Sequence, residues 1–257
     1  MNAPLKVFIT GASSGIGLAL AAEYARRGAI LGLVARRGDA LAGFRQAHPQ
    51  HSISIYPVDV RDAEALAEAA ARFIVEHGLP DIVIANAGIS RGAVTGEGDL
   101  RTFREVMDVN YFGMVATFEP FATAMAEAKR GTLVGIASVA GVRGLPGSGA
   151  YSASKSAALK YLEALRVEMR PKGVAVVTIA PGYIRTPMTA HNPYKMPFLM
   201  DADRFATKVA DAVSRRTRFA VIPWQMGVVA TLLHGMPRWL YDRLFERAPR
   251  KPRAAAD

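Results

Sequence analysis

The sequence predicts an α/β fold: a doubly wound parallel sheet of about seven strands in three layers, α/β/α, with an extra helix at the C-terminal end. Three observations carry that expectation. Short runs rich in β-branched and apolar residues recur without clean polar alternation, as strands buried on both faces do. Helical patterns separate these runs in strict alternation. A glycine-rich turn directly follows the first run and opens into a helix.

Taken in order, the runs are "LKVFIT" (5–10), "ILGLVA" (30–35), "SISIYPV" (52–58), "DIVIANA" (81–87), "GTLVGIAS" (131–138), "VAVVTIA" (174–180) and "RFAVIP" (218–223). Between them, stretches such as "GLALAAEYARRG" and "DAEALAEAAARFIVEHG" have the apolar spacing of helices. Sheets of this kind bind ligands beyond the carboxyl ends of their strands, near the point where strand order reverses. Functional residues are therefore expected just after strands. No internal repeat, low-complexity tract or linker divides the chain, so residues 1–257 read as one domain.

At 257 residues and 51% apolar, the chain can bury a large core undivided. It contains no cysteine, which excludes disulfides, thiolate–zinc sites and cysteine nucleophiles; no metal site is expected. The start, "MNAPLKVFITGASSG", has no apolar run long enough for a secretory leader. Nor is there an unbroken run of ~18–20 apolar residues to span a bilayer; "FAVIPWQMGVVATLLHGM" (219–236) comes nearest but contains Pro223, Gln225 and His234. A cytoplasmic setting is expected. The net charge of +10 raises nucleic acid or an anionic membrane as partners. Arg238, Arg243, Arg247, Arg250, Lys251 and Arg253 cluster late, but no zinc-finger spacing or aromatic RNA-binding motif accompanies them, so no nucleic-acid partner is expected.

The first turn reads "TGASSGIG", with Gly11, Gly15 and Gly17 leading into a helix and Ser13, Ser14 and Ile16 between them. Glycines let a pyrophosphate approach closely, and a helix N-terminus offers free N–H groups and positive potential. The same residues also spell G-x-S-x-G, the nucleophile elbow of serine hydrolases. In those enzymes part of the oxyanion hole comes from an earlier strand-to-helix loop, and only ten residues precede Gly11. A P-loop fails because no Lys-Ser or Lys-Thr closes the glycine run. After the second strand, where an NAD site places an acid for the ribose hydroxyls, stand Ala35, Arg36 and Arg37. A guanidinium suits a phosphate there, so NADP(H) is expected over NAD(H).

In "SGAYSASKSAALKYLEAL" (148–165), Tyr151 and Lys155 are four apart at the start of a helix, which places phenol and ammonium on one side. A nearby cation favours the phenolate and is expected to bring a phenol of ordinary pKa about 10 closer to working pH. From "TGASSGIG" the chain continues through Asp59-Val60, "NAG" (Asn86, Ala87, Gly88), Asn110 in "VMDVNYFG", Ser138 in "IASVAG", "YSASK" and "PGYIRTPM" (181–188). In that order, over roughly residues 5–190, the sequence resembles the short-chain dehydrogenase/reductase family.

The resemblance implies a Rossmann-type fold and hydride exchange between NADP(H) and a carbonyl or alcohol. It places Asp59 and Val60 beside the adenine, Asn86 to Gly88 on the cofactor floor, and Pro181, Gly182, Ile184 and Thr186 at the nicotinamide end. Tyr151 would be the proton donor, Ser138 would hydrogen-bond the substrate oxygen, Lys155 would also grip the nicotinamide ribose, and Asn110 would hold a relay water. Residues 186–204 would form a substrate lid. Their Met188, Met196, Phe198, Leu199 and Met200 suggest a lipophilic carbonyl substrate, and His191 could touch it. The small residues Ser152, Ala153, Ser154, Ala157 and Ala158 leave room for close packing or a subunit contact.

Residues 224–246 read as one amphipathic helix, with Trp224, Met226, Val228, Val229, Leu232, Leu233, Met236, Trp239, Leu240, Leu244 and Phe245 as its apolar positions; 247–257 read as a frayed basic tail. Docking on the core or a second subunit is expected. Peripheral membrane contact through 224–253 is the competing expectation, and a dimer or tetramer is anticipated. Two rivals to a carbonyl reductase remain: a sensor or scaffold that binds NADPH without turnover, and a membrane-peripheral reductase of lipid ketones.

Overall fold

A computed structural model describes residues 3–190, 192 and 194–253. Seven strands form one parallel sheet in the order β3-β2-β1-β4-β5-β6-β9: β1 Lys6–Thr10, β2 Ile30–Val34, β3 Ile53–Tyr56, β4 Ile82–Ala85, β5 Thr132–Ile136, β6 Ala175–Pro181 and β9 Phe219–Ile222. The chain winds outward from β1 to β3, then returns to add β4 beside β1. That reversal opens a crevice beyond the ends of β1 and β4. Each expected strand run coincides with one observed sheet strand, β6 passing the end of its run by one residue to Pro181, because alternate side chains both have a core to enter. Val7 and Ile9 join Leu20, Phe205 and Val209 on one side of the sheet. Phe8, between them, enters the other, with Phe73 and Phe121 edge-on at 5.5 and 5.0 Å.

Helices α1 (Gly15–Arg26), α2 (Gly38–Ala47) and α7 (Ala202–Ser214) cover the first face. The second is covered by α3 (Ala63–His77), α5 (Gly113–Glu127) and α6 (Gly149–Met169), with α4 (Leu100–Met107) packed on α6. Asp62 caps α3 by accepting from the Ala65 amide at 3.0 Å, satisfying one of the free donors at a helix start. Between α4 and α5 the helix widens by one π turn, Asp108–Phe112, a distortion that frequently marks functional positions. Two short strands, β7 (Ile184–Arg185) and β8 (Met200–Asp201), pair in parallel and close the base of the 186–199 loop.

The C-terminal region differs from expectation in two respects. Residues 224–246 are not one helix but two, α8 (Trp224–Gly235) and α9 (Arg238–Phe245). Met236 between them is extended, with φ −67° and ψ 130°, because the ring of Pro237 disfavours helical backbone in the preceding residue. The tail does not fray over its described part. Lys251 Nζ donates to Ser90 Oγ at 2.7 Å, and Arg253 pairs with Glu97 and Asp99 at 3.2 and 2.9 Å. Among the described residues, no helix is long and apolar enough to cross a membrane.

Candidate active site

The crevice is a cleft of about 360 Å³. Every residue assigned above to cofactor binding lines it, as does Ser138. Gly11 and Gly15 adopt left-handed φ values of +70° and +55°, open to glycine at no steric cost. Asn86 holds the loop, its Nδ2 donating to the Thr10 and Gly11 carbonyls at 3.0 and 3.3 Å. Ser14 is extended at the start of α1 and makes no side-chain cap, and the first turn of α1 has no acid. Its N–H groups therefore face the cleft as an anion site. A side-chain carbon at Gly17 would overlap the Gly11 carbonyl and Asn86. Relieving such overlap costs about 1–3 kcal/mol, so Gly17→Ala is expected to weaken dinucleotide binding roughly tenfold or more, measured by fluorescence titration on protein with unchanged circular dichroism.

Beyond β2, Ala35 is buried and two guanidinium groups border the cleft. Arg37 donates to Ser13 O and Oγ, both at 3.2 Å, whereas Arg36 has Asp59 at 4.0 Å as its carboxylate neighbour. Asp59 is held chiefly by Arg61, whose hydrogen bonds keep its carboxyl below the usual range. Arg36 is thus the less committed of the two cations.

Ser138, Tyr151 and Lys155 meet at the far end of the cleft, beyond β5 and in the first turns of α6. Ser138 Oγ accepts from the Ala140 amide at 3.1 Å, which leaves its hydroxyl hydrogen free to donate. Lys155 is buried, and its Nζ donates to the Ile136 carbonyl at 2.8 Å. Burial depresses its pKa to about 8. Its Nζ lies 5.9 Å from the centre of the Tyr151 ring. The expectation that this cation brings the phenol toward neutrality is not met in this geometry: burial pushes Tyr151 up, and the Ser138 side chain supplies the opposing pull. The ammonium has turned to a backbone carbonyl instead of the phenol. Tyr151 therefore remains protonated at neutral pH, the form required of a proton donor.

Asn110 does not line the cleft. The π turn points it inward, fully buried, where Oδ1 accepts from Ile89 N at 2.8 Å and Nδ2 donates to Ile89 O and Ser154 Oγ at 2.9 Å each. It ties the chain after β4 to the helix that carries Tyr151 and Lys155. Of the small residues on α6, Ser152, Ser154 and Ala158 are buried within the chain. In the 186–204 segment, Met188 lines the cleft and is partly exposed, Phe198 is exposed, and Met200 packs on the core. His191 lies outside the described residues.

Other contacts were not readable locally. Thr189 Oγ1 accepts from Thr186 N at 3.1 Å and donates to Ile184 O at 2.7 Å, fixing the loop at the cleft's edge. Tyr241 OH donates to Gly144 O at 2.6 Å across 97 positions. With the Lys251 and Arg253 contacts, this draws the C-terminal arm over the loops after β4 and β5.

A Rossmann-type nucleotide-binding protein is the class that this sheet and cleft define. The family model described as short chain dehydrogenase matches residues 6–196, and the chain belongs to that family. It is 37% identical over 243 residues to an "Uncharacterized oxidoreductase" of Myxococcus xanthus, covering 93% of this chain and 95% of that protein. A short chain dehydrogenase of Burkholderia cenocepacia, solved with NADP, superposes with a TM-score of 0.82 at 26% identity, covering 96% of this chain and 98% of that one. A Burkholderia phymatum short chain dehydrogenase/reductase, solved with NAD, shares the fold with a TM-score of 0.83 at 23% identity, covering 98% of each chain. The chain is thus an oxidoreductase fitted to a nicotinamide cofactor: the uncapped α1 terminus, the space kept at Gly17 and the buried Lys155 match the group's anionic and polar parts.

Proposed function

We propose that this oxidoreductase reduces a fairly apolar ketone to an alcohol with NADPH. The observation that carries the reading is the convergence of Ser138, Tyr151 and Lys155 on the cleft that the glycine loop and Arg36 also border. When bound, NADPH supplies the hydride that reaches the carbonyl carbon. Tyr151 gives its phenolic proton to the carbonyl oxygen. Ser138 donates its hydroxyl hydrogen to the same oxygen, and the Lys155 ammonium stabilises the negative charge developing there. Arg36 and Arg37 hold the adenosine phosphate, Ser13 to Gly17 the pyrophosphate, and Asp59 and Val60 the adenine. Asn86 to Gly88 and Pro181 to Thr186 frame the nicotinamide. Asn110 positions α6 against the chain after β4. Residues 186–204 act as the substrate lid, with Met188 and Phe198 supplying apolar contact.

The test is NADPH consumption against ketones graded in chain length. Turnover rising with apolar length is expected; binding of NADPH with no turnover on any ketone would favour a sensor. The pH dependence follows from Lys155. Because kcat/KM reports groups of the free protein, ketone reduction should decline as pH rises through about 8, where the ammonium is lost. A profile flat to pH 10, about two units above that value, would remove the charge from the mechanism. Leu100, Phe112 and Val167 leave apolar side chains exposed on α4, in the π turn and on α6. Self-association is part of the reading, and sedimentation velocity checks it: a monomer at all concentrations would remove it.

A further inference from the structure

The outer surface of α8 and α9 has a composition that packing on the body does not explain. Helix α8 contains no Asp, Glu, Lys or Arg. Its inner positions Met226 and Ala230 are buried, Met226 against Gly182. Its outer row, Trp224, Val228 and Leu232 at i, i+4 and i+8, is 71%, 52% and 67% exposed. In α9, Tyr241 is buried against Gly144, while Trp239 and Leu244 are 69% and 57% exposed. The chain has two tryptophans, and each of the two helices exposes one of them. The helices are fixed in this orientation rather than loosely attached: Arg143 donates to Met236 O at 3.2 Å and lies 4.2 Å over the Tyr241 ring. The faces that could fold inward have already done so.

We propose that this surface rests on an anionic lipid bilayer. Charge selects the occupant. Arg238, Arg243, Arg247 and Arg250 are all exposed in and beyond α9, against Asp242 and Glu246. A second copy of the chain would bring like charges together, whereas anionic headgroups complement them. Tryptophan and arginine beside an apolar face are the composition of helices that lie in a membrane interface. At 12 and 8 residues, these helices are too short to span and suited to lying flat. The surface adjoins the site, since Met226 packs on Gly182 of the cleft.

Co-sedimentation with mixed phosphatidylglycerol–phosphatidylcholine vesicles tests this without substrate, so its failure is separable from failure of the catalytic reading. Binding to the mixed vesicles, much weaker binding to pure phosphatidylcholine, and a blue shift of tryptophan emission are expected. The double variant Trp224→Gln/Leu232→Gln should lose at least about tenfold in partitioning while binding NADPH as the parent does. Arg243→Ala/Arg247→Ala should flatten the salt dependence. Absence of co-sedimentation at low ionic strength overturns the proposal, as does undiminished binding by the Trp224/Leu232 variant. A blue shift that tracks protein concentration without lipid, with no vesicle binding, assigns the surface to a second copy and also overturns it.

Discussion

Tyr151→Phe is expected to reduce ketone turnover by about 10²–10⁴-fold, the range for loss of a general acid, while the NADPH dissociation constant stays within about twofold. The two effects separate because the substitution removes one oxygen and keeps the ring. That ring packs against Ala93, Val106 and Ala150, and those contacts survive in phenylalanine. The anion site at α1 and the guanidinium groups beyond β2 are untouched. Burial keeps the phenol protonated, so the wild-type proton is available at neutral pH without prior adjustment by Lys155. Single-turnover absorbance with a saturating ketone, paired with a fluorescence titration of NADPH, reads both quantities. Retained turnover would remove Tyr151 from the proton-donor role; lost NADPH binding would mean that the phenol supports the cleft itself.

Arg36→Ala should weaken NADPH by roughly tenfold to a hundredfold, the value of a hydrogen bond to a charged group, and leave NADH nearly unchanged. Arg36 is suited to that selectivity because its side chain is 60% exposed and its carboxylate neighbour is 4.0 Å away, so it is free to turn to a phosphate. Arg37→Ala should behave differently. Its guanidinium also holds Ser13 at 3.2 Å, so its loss both removes a phosphate partner and loosens the glycine loop that both cofactors need: NADH should weaken too, and NADPH more. Isothermal titration of the two variants with each dinucleotide makes the comparison. An equal loss of NADPH and NADH in Arg36→Ala would refute the phosphate assignment.

Features with a local cause were legible in the sequence by itself. Runs such as "VAVVTIA" announce strands because both faces of a parallel sheet are buried, and that requirement is written residue by residue. The turn at Gly11 and Gly15 is legible for a similar reason: positive φ excludes most other residues. Tyr151 and Lys155 are neighbours by helical spacing alone. The tertiary structure decided what depends on distant segments meeting. It buried Lys155 and turned its ammonium to Ile136 O, 19 positions away, while burial of Tyr151 itself pushes the phenol up. It made Asn110 a buried tie between Ile89 and Ser154, a pairing that its own stretch of sequence does not announce. It also fastened the supposedly loose tail through Lys251 to Ser90, 161 positions apart. Periodicity encodes which face of an element is apolar, but hydrogen-bond partners and desolvation are set only when the elements pack, because both depend on atoms that local sequence does not contain.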